Sequence, residues 1–204
     1  NITGNSGNVI SANQFVGSGD NPEHTTYTNN ILYSNQPASG FCYAMTVSGS
    51  GNLLENNTIY FNGSGILNQY GASSVGNVYR NNTIYGSATF YPSANSLVEN
   101  NKVYGTGKTT IAAGTTLINN TFNTVTISGA NVVARENSFN QDLTISGAGT
   151  QFIGNIVTGT VTVSSNDNVI VLNNITTTGD YAINLNANTG NTVTGNILIA
   201  KEYY

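Results

Sequence analysis

The chain has little of the charge on which many protein functions depend. It contains five Lys and Arg and nine Asp and Glu among 204 residues, so 7% of its side chains are charged, whereas about a quarter is usual for a soluble globular domain. The net charge is −4. Nucleic-acid binding needs a cluster of basic side chains. We therefore expect no nucleic-acid partner.

Cysteine, tryptophan and long apolar runs are also scarce. The chain has one cysteine, Cys42, no Trp and three Pro. A single cysteine excludes an intrachain disulfide and a cysteine-rich metal site. No stretch reaches the 18 or more consecutive apolar residues of a membrane span. We expect no metal, no cofactor and no membrane span, and a fold held by packing and hydrogen bonds.

Asparagine is abundant, with 35 copies, and it recurs at a regular interval. The repeated motif is Asn, any residue, then usually an apolar residue, often with a second Asn in front. The spacing between successive motifs is 17 to 27 residues, which is typical of a solenoid. The marker asparagines are Asn13, Asn30, Asn57, Asn82, Asn101, Asn120, Asn137, Asn155, Asn174 and Asn196.

Apolar residues keep fixed offsets from each marker. They occur two positions after nine of the ten markers, the exception being Thr176, and three positions before every marker. A further alternating segment, such as Val125 and Ile127, lies between markers. About three strands in some 19 residues fit one turn of a parallel β-solenoid. The sequence predicts one all-β domain over residues 1–204, a single-stranded parallel β-helix of about ten turns with the markers stacked as an internal asparagine ladder.

Two segments, Leu53–Tyr60 and Val78–Tyr85, carry a resemblance to a known group. They resemble the short NosD-type repeats of right-handed parallel β-helix proteins in the pectate-lyase-like superfamily. The resemblance implies the fold and its right-handed coiling. It does not imply one activity, because such folds serve polysaccharide lyases and hydrolases, phage tailspikes, adhesins and surface-layer proteins.

The predicted turns place charges and rings in columns on the outer surface. Glu55, Arg80 and Glu99 fall at one offset on successive turns, which predicts an ion-pair ladder. A column of exposed tyrosines follows the markers and predicts an aromatic stack, a protein interface or a sugar-binding strip; it comprises Tyr33, Tyr60, Tyr85 and Tyr104. Loop insertions are predicted in the same N-terminal half, at 17–26, 34–43, 62–76 and 86–95.

The remaining acidic residues offer only weak candidates for catalysis. Asp142 and Asp180 lie at similar offsets two turns apart, about 10 Å by strand spacing, as glycoside hydrolysis requires. Turn capping is the alternative for both. Asp20, Glu23 and His24 cluster in an inserted loop, where a solvated loop is the alternative to a metal site. Candidate N-glycosylation sequons occur at Asn1, Asn56, Asn62, Asn81, Asn119 and Asn174.

Neither end of the repeat pattern carries a recognisable cap. The sequence therefore favours either an excerpt of a longer β-helix or copies that stack head to tail. We expect a non-enzymatic extracellular or cell-surface structural protein: a homo-oligomeric subunit of a filament, adhesin or surface layer. A polysaccharide-degrading enzyme or phage tailspike, and a glycan-binding adhesin, are the alternatives.

Overall fold

Short parallel strands make up all the regular structure that is described. The computed structural model describes residues 9–11, 26–34, 42–46, 49–61, 65–68, 75–87, 89–186 and 188–201. These residues form 27 strands of two to five residues and contain no helix. Every strand pairing among them is parallel, and each strand inside a sheet pairs with strands from the turns before and after it.

In chain order the strands are β1 (Val9–Ser11), β2 (Thr26–Thr28), β3 (Ile31–Ser34), β4 (Cys42–Thr46), β5 (Leu53–Glu55), β6 (Thr58–Phe61), β7 (Gly65–Asn68), β8 (Val78–Arg80), β9 (Thr83–Gly86), β10 (Thr89–Tyr91), β11 (Leu97–Glu99), β12 (Lys102–Val103), β13 (Thr109–Ile111), β14 (Thr116–Ile118), β15 (Thr121–Phe122), β16 (Val125–Ile127), β17 (Val133–Arg135), β18 (Ser138–Phe139), β19 (Leu143–Ile145), β20 (Gln151–Ile153), β21 (Ile156–Thr158), β22 (Val161–Val163), β23 (Val169–Val171), β24 (Asn174–Thr176), β25 (Ile183–Leu185), β26 (Thr192–Thr194) and β27 (Ile197–Ile199).

The strands form three faces around one core. The pre-bend sheet, which precedes the asparagine bend, has nine strands in the order β2-β5-β8-β11-β14-β17-β20-β23-β26. The post-bend sheet has ten strands in the order β1-β3-β6-β9-β12-β15-β18-β21-β24-β27. The third face consists of a sheet β10-β7-β4 and a sheet β13-β16-β19-β22-β25. The predicted all-β parallel solenoid with three strands per turn is confirmed.

The apolar columns of the sequence fill the interior. In the post-bend sheet Ile59, Ile84 and Val103 are buried, and Phe122 stacks on Phe139 with ring centroids 5.7 Å apart. The other faces contribute Leu54, Val98 and Leu117, then Ile111, Ile127 and Ile145, all buried. Because side chains alternate between the two faces of a strand, most strands of described burial bury one or two residues, whereas β26 and β27 bury none.

A ladder of buried asparagines runs beside this apolar core. The Oδ1 atom of Asn120 accepts hydrogen bonds from both the backbone N–H and the Nδ2 of Asn101, at 2.8 and 3.0 Å. The Nδ2 of Asn120 donates to Oδ1 of Asn137 at 2.9 Å and to the carbonyl of Val98 at 2.8 Å. The same pattern links Asn30, Asn57, Asn82, Asn101, Asn120, Asn137, Asn155, Asn173 and Asn196.

Each interior rung of this ladder uses its whole hydrogen-bonding capacity. A side-chain amide has two donor hydrogens and an oxygen that accepts twice, and Asn120 engages all of them. The buried Oδ1 of Asn30 has no partner among the described residues, and the predicted preceding rung, Asn13, lies outside them. A buried amide costs free energy unless it is bonded, so this arrangement makes a polar core column stable.

One predicted rung is wrong. Asn174 is exposed and begins β24, and the buried rung between Asn155 and Asn196 is Asn173. In earlier turns the second Asn of a doublet is the rung, whereas here it is the first. This register puts Ile170 and Ile175 in the buried columns in place of Val171 and Thr176, and a strand's apolar residues decide its register.

The shift leaves a leucine in a left-handed backbone. The residue before each rung has positive φ, and in the turn of Asn173 that residue is Leu172, with φ 57°. Glycine and asparagine reach this region easily, but other L-residues pay about 1–2 kcal/mol. Leu172 nevertheless has a side chain with 68% exposure, so its burial does not compensate for this strain.

A second bend, between the third face and the pre-bend sheet, follows similar rules. Its positive-φ residues are Gly51, Gly76, Asn95, Gly114, Asn131, Gly149, Asp167 and Gly190. The next residue points inward, and the backbone N–H of Asn168 donates to Oδ1 of Asn191 at 2.9 Å. Beside this bend, burial raises the pKa of Tyr79, while hydrogen bonds with Asn77 and Ser93 act in the opposite direction.

Parts of the predicted loop insertions are strands of the third face. Segment 62–76 contains β7, segment 86–95 contains β10, and segment 34–43 overlaps the start of β4. The pairing of Phe90 with Leu67 joins two of these strands in register. The prediction of loops is wrong at these strands. The sequence did not predict them because each strand has few alternating apolar residues and lies beside glycines or serines. Segment 17–26 lies almost wholly outside the described residues.

Adjacent asparagines of one doublet should differ sharply in their effect on stability. We expect Asn120→Ala to lower the free energy of unfolding by about 2–4 kcal/mol, because it leaves buried donors and acceptors without partners. Asn119, which is exposed and has φ 52°, provides the matched control. Asn119→Gly keeps the left-handed backbone, so its effect should stay within about 0.5 kcal/mol. Urea denaturation followed by circular dichroism measures both, and equal losses would contradict the ladder's role.

Candidate functional site: the tyrosine column and the polar cleft

The tyrosine column lies on the outer face of the post-bend sheet. Strand pairing aligns Tyr33 with Tyr60 and Tyr60 with Tyr85, and the backbone N–H of Tyr104 donates to Ile84 O at 2.9 Å. The rings of Tyr85 and Tyr104 are stacked, with centroids 5.7 Å apart and an interplanar angle of 27°. Tyr60, Tyr85 and Tyr104 are 37%, 39% and 42% exposed. The side chain of Tyr33 lies outside the described part of the structure.

Amide side chains continue this column on the following turns. The Nδ2 of Asn123 donates to the carbonyl of Tyr104 at 2.9 Å. The Nδ2 of Asn140 in turn donates to Oδ1 of Asn123 at 3.2 Å. Thr158 pairs with Thr176 further along the same sheet. The column therefore changes from aromatic to amide to hydroxyl as it runs along the solenoid.

A polar cleft of about 520 Å³ opens where this column reaches its threonines. Its lining consists of Thr124, Asn140, Gln141, Asp142, Thr158, Gly159, Thr176, Thr177 and Thr178. Five of these nine residues are threonines and one, Asp142, carries a charge. The cleft was not predicted from the sequence, although the run Thr176-Thr177-Thr178 beside the bend after β24 was a signal for it. Although the lining residues are polar, more of their exposed surface is apolar than polar. The cleft therefore suits a neutral ligand that offers apolar surface together with a few hydrogen-bonding groups.

Asp142 is tied to the bend of the next turn. Its Oδ1 accepts a hydrogen bond from the backbone N–H of Thr160 at 2.8 Å. Gly159 passes so close that a Cβ there would lie 2.5 Å from the backbone N of Asp142. This contact gives Asp142 the capping role that the sequence offered as the alternative to catalysis.

Asp180 stands two turns from Asp142. Leu143, Val161 and Ile183 pair in register on successive strands, which separates the two preceding bends by two strand spacings, about 10 Å. Asp180 is exposed and precedes Tyr181, whose carbonyl accepts a hydrogen bond from Oγ1 of Thr160 at 3.0 Å. Asp142 lies in the polar cleft, and Asp180 is not among its lining residues.

The predicted ion-pair column has the expected geometry. Arg80 Nε donates to Oε2 of Glu99 at 2.9 Å, and Arg80 Nη1 lies 3.6 Å from Oε1 of Glu55. The three residues are in register across β5, β8 and β11. Their side chains are 27–38% exposed. Because partly exposed ion pairs contribute about 1 kcal/mol or less, their main effect is on register and not on stability.

The sequons differ in accessibility. Asn56, Asn81, Asn119 and Asn174 are exposed, whereas Asn1 and Asn62 lie outside the described residues. Nδ2 of Asn119 donates to Oδ1 of Asn100 at 2.8 Å, so that amide is engaged on the surface. Asn56, Asn81 and Asn119 occupy the left-handed position of the asparagine bend.

No group of three or more His, Cys, Asp and Glu that could hold a metal ion occurs among the residues the structure describes. Asp20, Glu23 and His24 lie outside that part of the chain. No described segment forms a helix with the length and hydropathy needed to cross a membrane.

Comparison with models of protein families, with curated proteins and with solved structures found no match for this chain. The strand pairing alone defines the class of fold, a parallel β-solenoid.

Two substitutions at Asp142 distinguish the effect of its hydrogen-bond acceptor on stability from the effect of its negative charge. Asp142→Ala removes the acceptor for the Thr160 N–H and should lower the free energy of unfolding by about 1 kcal/mol. Asp142→Asn retains an oxygen acceptor, so we expect a change within about 0.5 kcal/mol. Thermal or urea denaturation of the two variants beside the unchanged chain gives the comparison. A loss for Asp142→Asn as large as that for Asp142→Ala would show that the negative charge, and not the acceptor, matters.

Proposed function

We propose that the chain is a non-enzymatic structural protein of an extracellular or cell surface, a subunit of a filament, adhesin or surface layer. The observation that supports this best is the asparagine ladder, which continues through nine rungs from Asn30 to Asn196. Every interior rung, from Asn57 to Asn173, links the turns before and after it. Such a solenoid is a rod of fixed register, suited to carrying a side-chain column at a constant spacing.

The family is part of the same proposal. We infer that the chain belongs to the right-handed β-helix proteins of the pectate-lyase-like superfamily, with NosD-type repeats. Support comes from the repeated segments Leu53–Tyr60 and Val78–Tyr85, which occupy equivalent strands and bends. An extracellular location is supported by three exposed sequons, at Asn56, Asn81 and Asn119.

Association with further copies is the proposed mode of assembly. In β26 and β27 the apolar residues Val193 and Leu198 occupy the inward columns but are 37% and 47% exposed. Both strands pair on one side only among the described residues. A further parallel turn, of the same chain or of another copy, would satisfy those backbone groups and cover those side chains; the proposed assembly assigns this turn to another copy. Few charges oppose such an approach.

Negative-stain electron microscopy of the purified chain tests this assembly. We expect rods that join end to end as the concentration rises. Thr192→Lys, which places a charge on the outward side of β26, should shorten them, because lysine on an edge strand opposes pairing. Gln151→Lys is the matched control, since Gln151 occupies the same exposed column on the central strand β20. Separate short rods at every concentration would contradict end-to-end assembly.

A second candidate function is glycan binding by an adhesin. It is favoured by the continuity between the tyrosine column and the polar cleft. Tyrosine rings stack on sugar faces, and hydroxyl and amide groups hydrogen-bond to sugar hydroxyls. One strip would thus offer both kinds of contact to an extended chain.

Binding of the chain and its variants to a glycan array tests this second candidate function. Tyr60→Ala with Tyr85→Ala should abolish binding by removing adjacent stacking surfaces. Tyr91→Ala is the control, because Tyr91 is 39% exposed but lies on the third face. Unchanged binding by the double variant would exclude the strip. Release of new reducing ends from the bound glycan, lost in Asp142→Asn, would instead indicate the polysaccharide-degrading alternative.

A further inference from the structure

Leu172 is the one apolar residue with positive φ among the non-glycine positions described, and core packing does not explain it. Its φ is 57° and its side chain is 68% exposed. The equivalent position in the other described turns holds Asn29, Asn56, Asn81, Asn100, Asn119, Glu136, Gly154 and Gly195. Strained residues that the fold does not need are a signal of function.

The neighbouring turn is shaped to receive this leucine. A Cβ on Gly195 would lie 3.1 Å from Cδ2 of Leu172, so the glycine lets the side chain lie across the next bend. The leucine is therefore placed in a defined direction on the surface. Asparagine, which occupies this position in five of the preceding turns, would suit the left-handed backbone better.

Leu172 belongs to an apolar corner on the outside of the asparagine bend. We use that name for Ile153, Ile156, Val171, Leu172 and Ile197. Ile156 and Ile197 are 57% and 60% exposed, and Ile153 and Val171 are half-buried and paired in register. Ile156, Asn174 and Ile197 form a second register row. The corner thus covers three successive turns and contains no charged side chain.

The same surface is mostly polar and charged in the earlier turns, where Ile31 and Ile118 are isolated apolar residues. Where the apolar corner has Ile153 and Val171, earlier turns have Glu55, Arg80 and Glu99. The apolar surface is therefore local and not a property of the bend. Exposed apolar residues clustered in this way mark interaction surfaces.

We propose that the apolar corner is a lateral interface between two copies of this chain, whose rods lie side by side. A second copy fits because it offers apolar rows with the same strand spacing, about 4.8 Å. It also fits electrostatically: Arg135 and Glu136, one turn before the corner, are adjacent, exposed and opposite in charge. A two-fold axis that is parallel to the rods and passes between them at this corner places Arg135 of one copy opposite Glu136 of the other, and two-fold dimers are the commonest homo-oligomers.

Lateral pairing deepens the proposed structural function and rests on it. End-to-end contacts through β26 and β27 would lengthen a filament, and the apolar corner would hold two such rods together. The two contacts use different surfaces. They can therefore be removed separately.

Sedimentation velocity over a concentration series, with thermal denaturation of the same samples, tests the interface. We expect the unchanged chain to dimerise, and Leu172→Asn to weaken dimerisation about tenfold or more while raising the melting temperature, because asparagine suits a left-handed backbone. Asn119→Leu is the matched control: it places leucine at the same left-handed position outside the corner. It should lower the melting temperature without changing association.

A charge exchange tests the proposed symmetry. Arg135→Glu alone should weaken the dimer by placing like charges opposite each other. Adding Glu136→Arg to the same chain should restore it, because the two-fold pairing is then complementary again.

Each outcome decides between the two contacts. A chain that stays monomeric, or dimers unaffected by Leu172→Asn, would overturn the apolar corner as an interface. If the Leu172→Asn variant forms filaments that are one rod wide, the end-to-end contact is intact while the lateral contact is lost. That result would support the apolar corner as a separate lateral contact. Side-by-side dimers without filaments would support the corner and contradict end-to-end assembly.

Discussion

The buried side-chain amide is the interaction on which the rest of this structure depends. Each interior rung of the asparagine ladder donates twice and accepts twice, and its partners belong to the turns on either side. A polar column in the core is stable only because no donor or acceptor in it is left over. The apolar columns supply most of the burial, but apolar contacts tolerate sliding. The amides do not, so they fix the turns in register.

The unusual composition follows from the two bends of each turn. Both bends contain a residue with positive φ, and asparagine and glycine occupy most of these positions. The inward neighbour is often another asparagine. Two acidic residues, Glu136 and Asp167, also stand at left-handed positions, and Glu55 and Glu99 pair with Arg80. Much of the small charge is thus used for backbone geometry and pairing, and neutral polar groups provide most of the hydrated surface.

Periodicity predicted the faces, the apolar columns and the register of Tyr60 with Tyr85, because side-chain alternation and repeat length leave little freedom. The prediction from periodicity failed where the local sequence fits a second register equally well. At Asn173 and Asn174 the doublet favoured the second residue, whereas burial of Ile170 and Ile175 selected the first. The strands β7 and β10 were not predicted because each has few alternating apolar residues. The polar cleft could not be predicted from the spacing of the markers, since its lining comes from four successive turns.

The asparagine ladder also gives the rod a direction. Every Oδ1 from Asn57 to Asn196 accepts from the turn before it, so all these carbonyl groups point the same way along the axis. Aligned amides polarise one another. One end of such a column offers oxygen acceptors and the other offers N–H donors, and a further turn, whichever chain it belongs to, completes the ladder only with matching orientation. Two rods that meet with equal ends would leave the terminal amides of their ladders mismatched, so the proposed end-to-end assembly would have to add every subunit in the same sense.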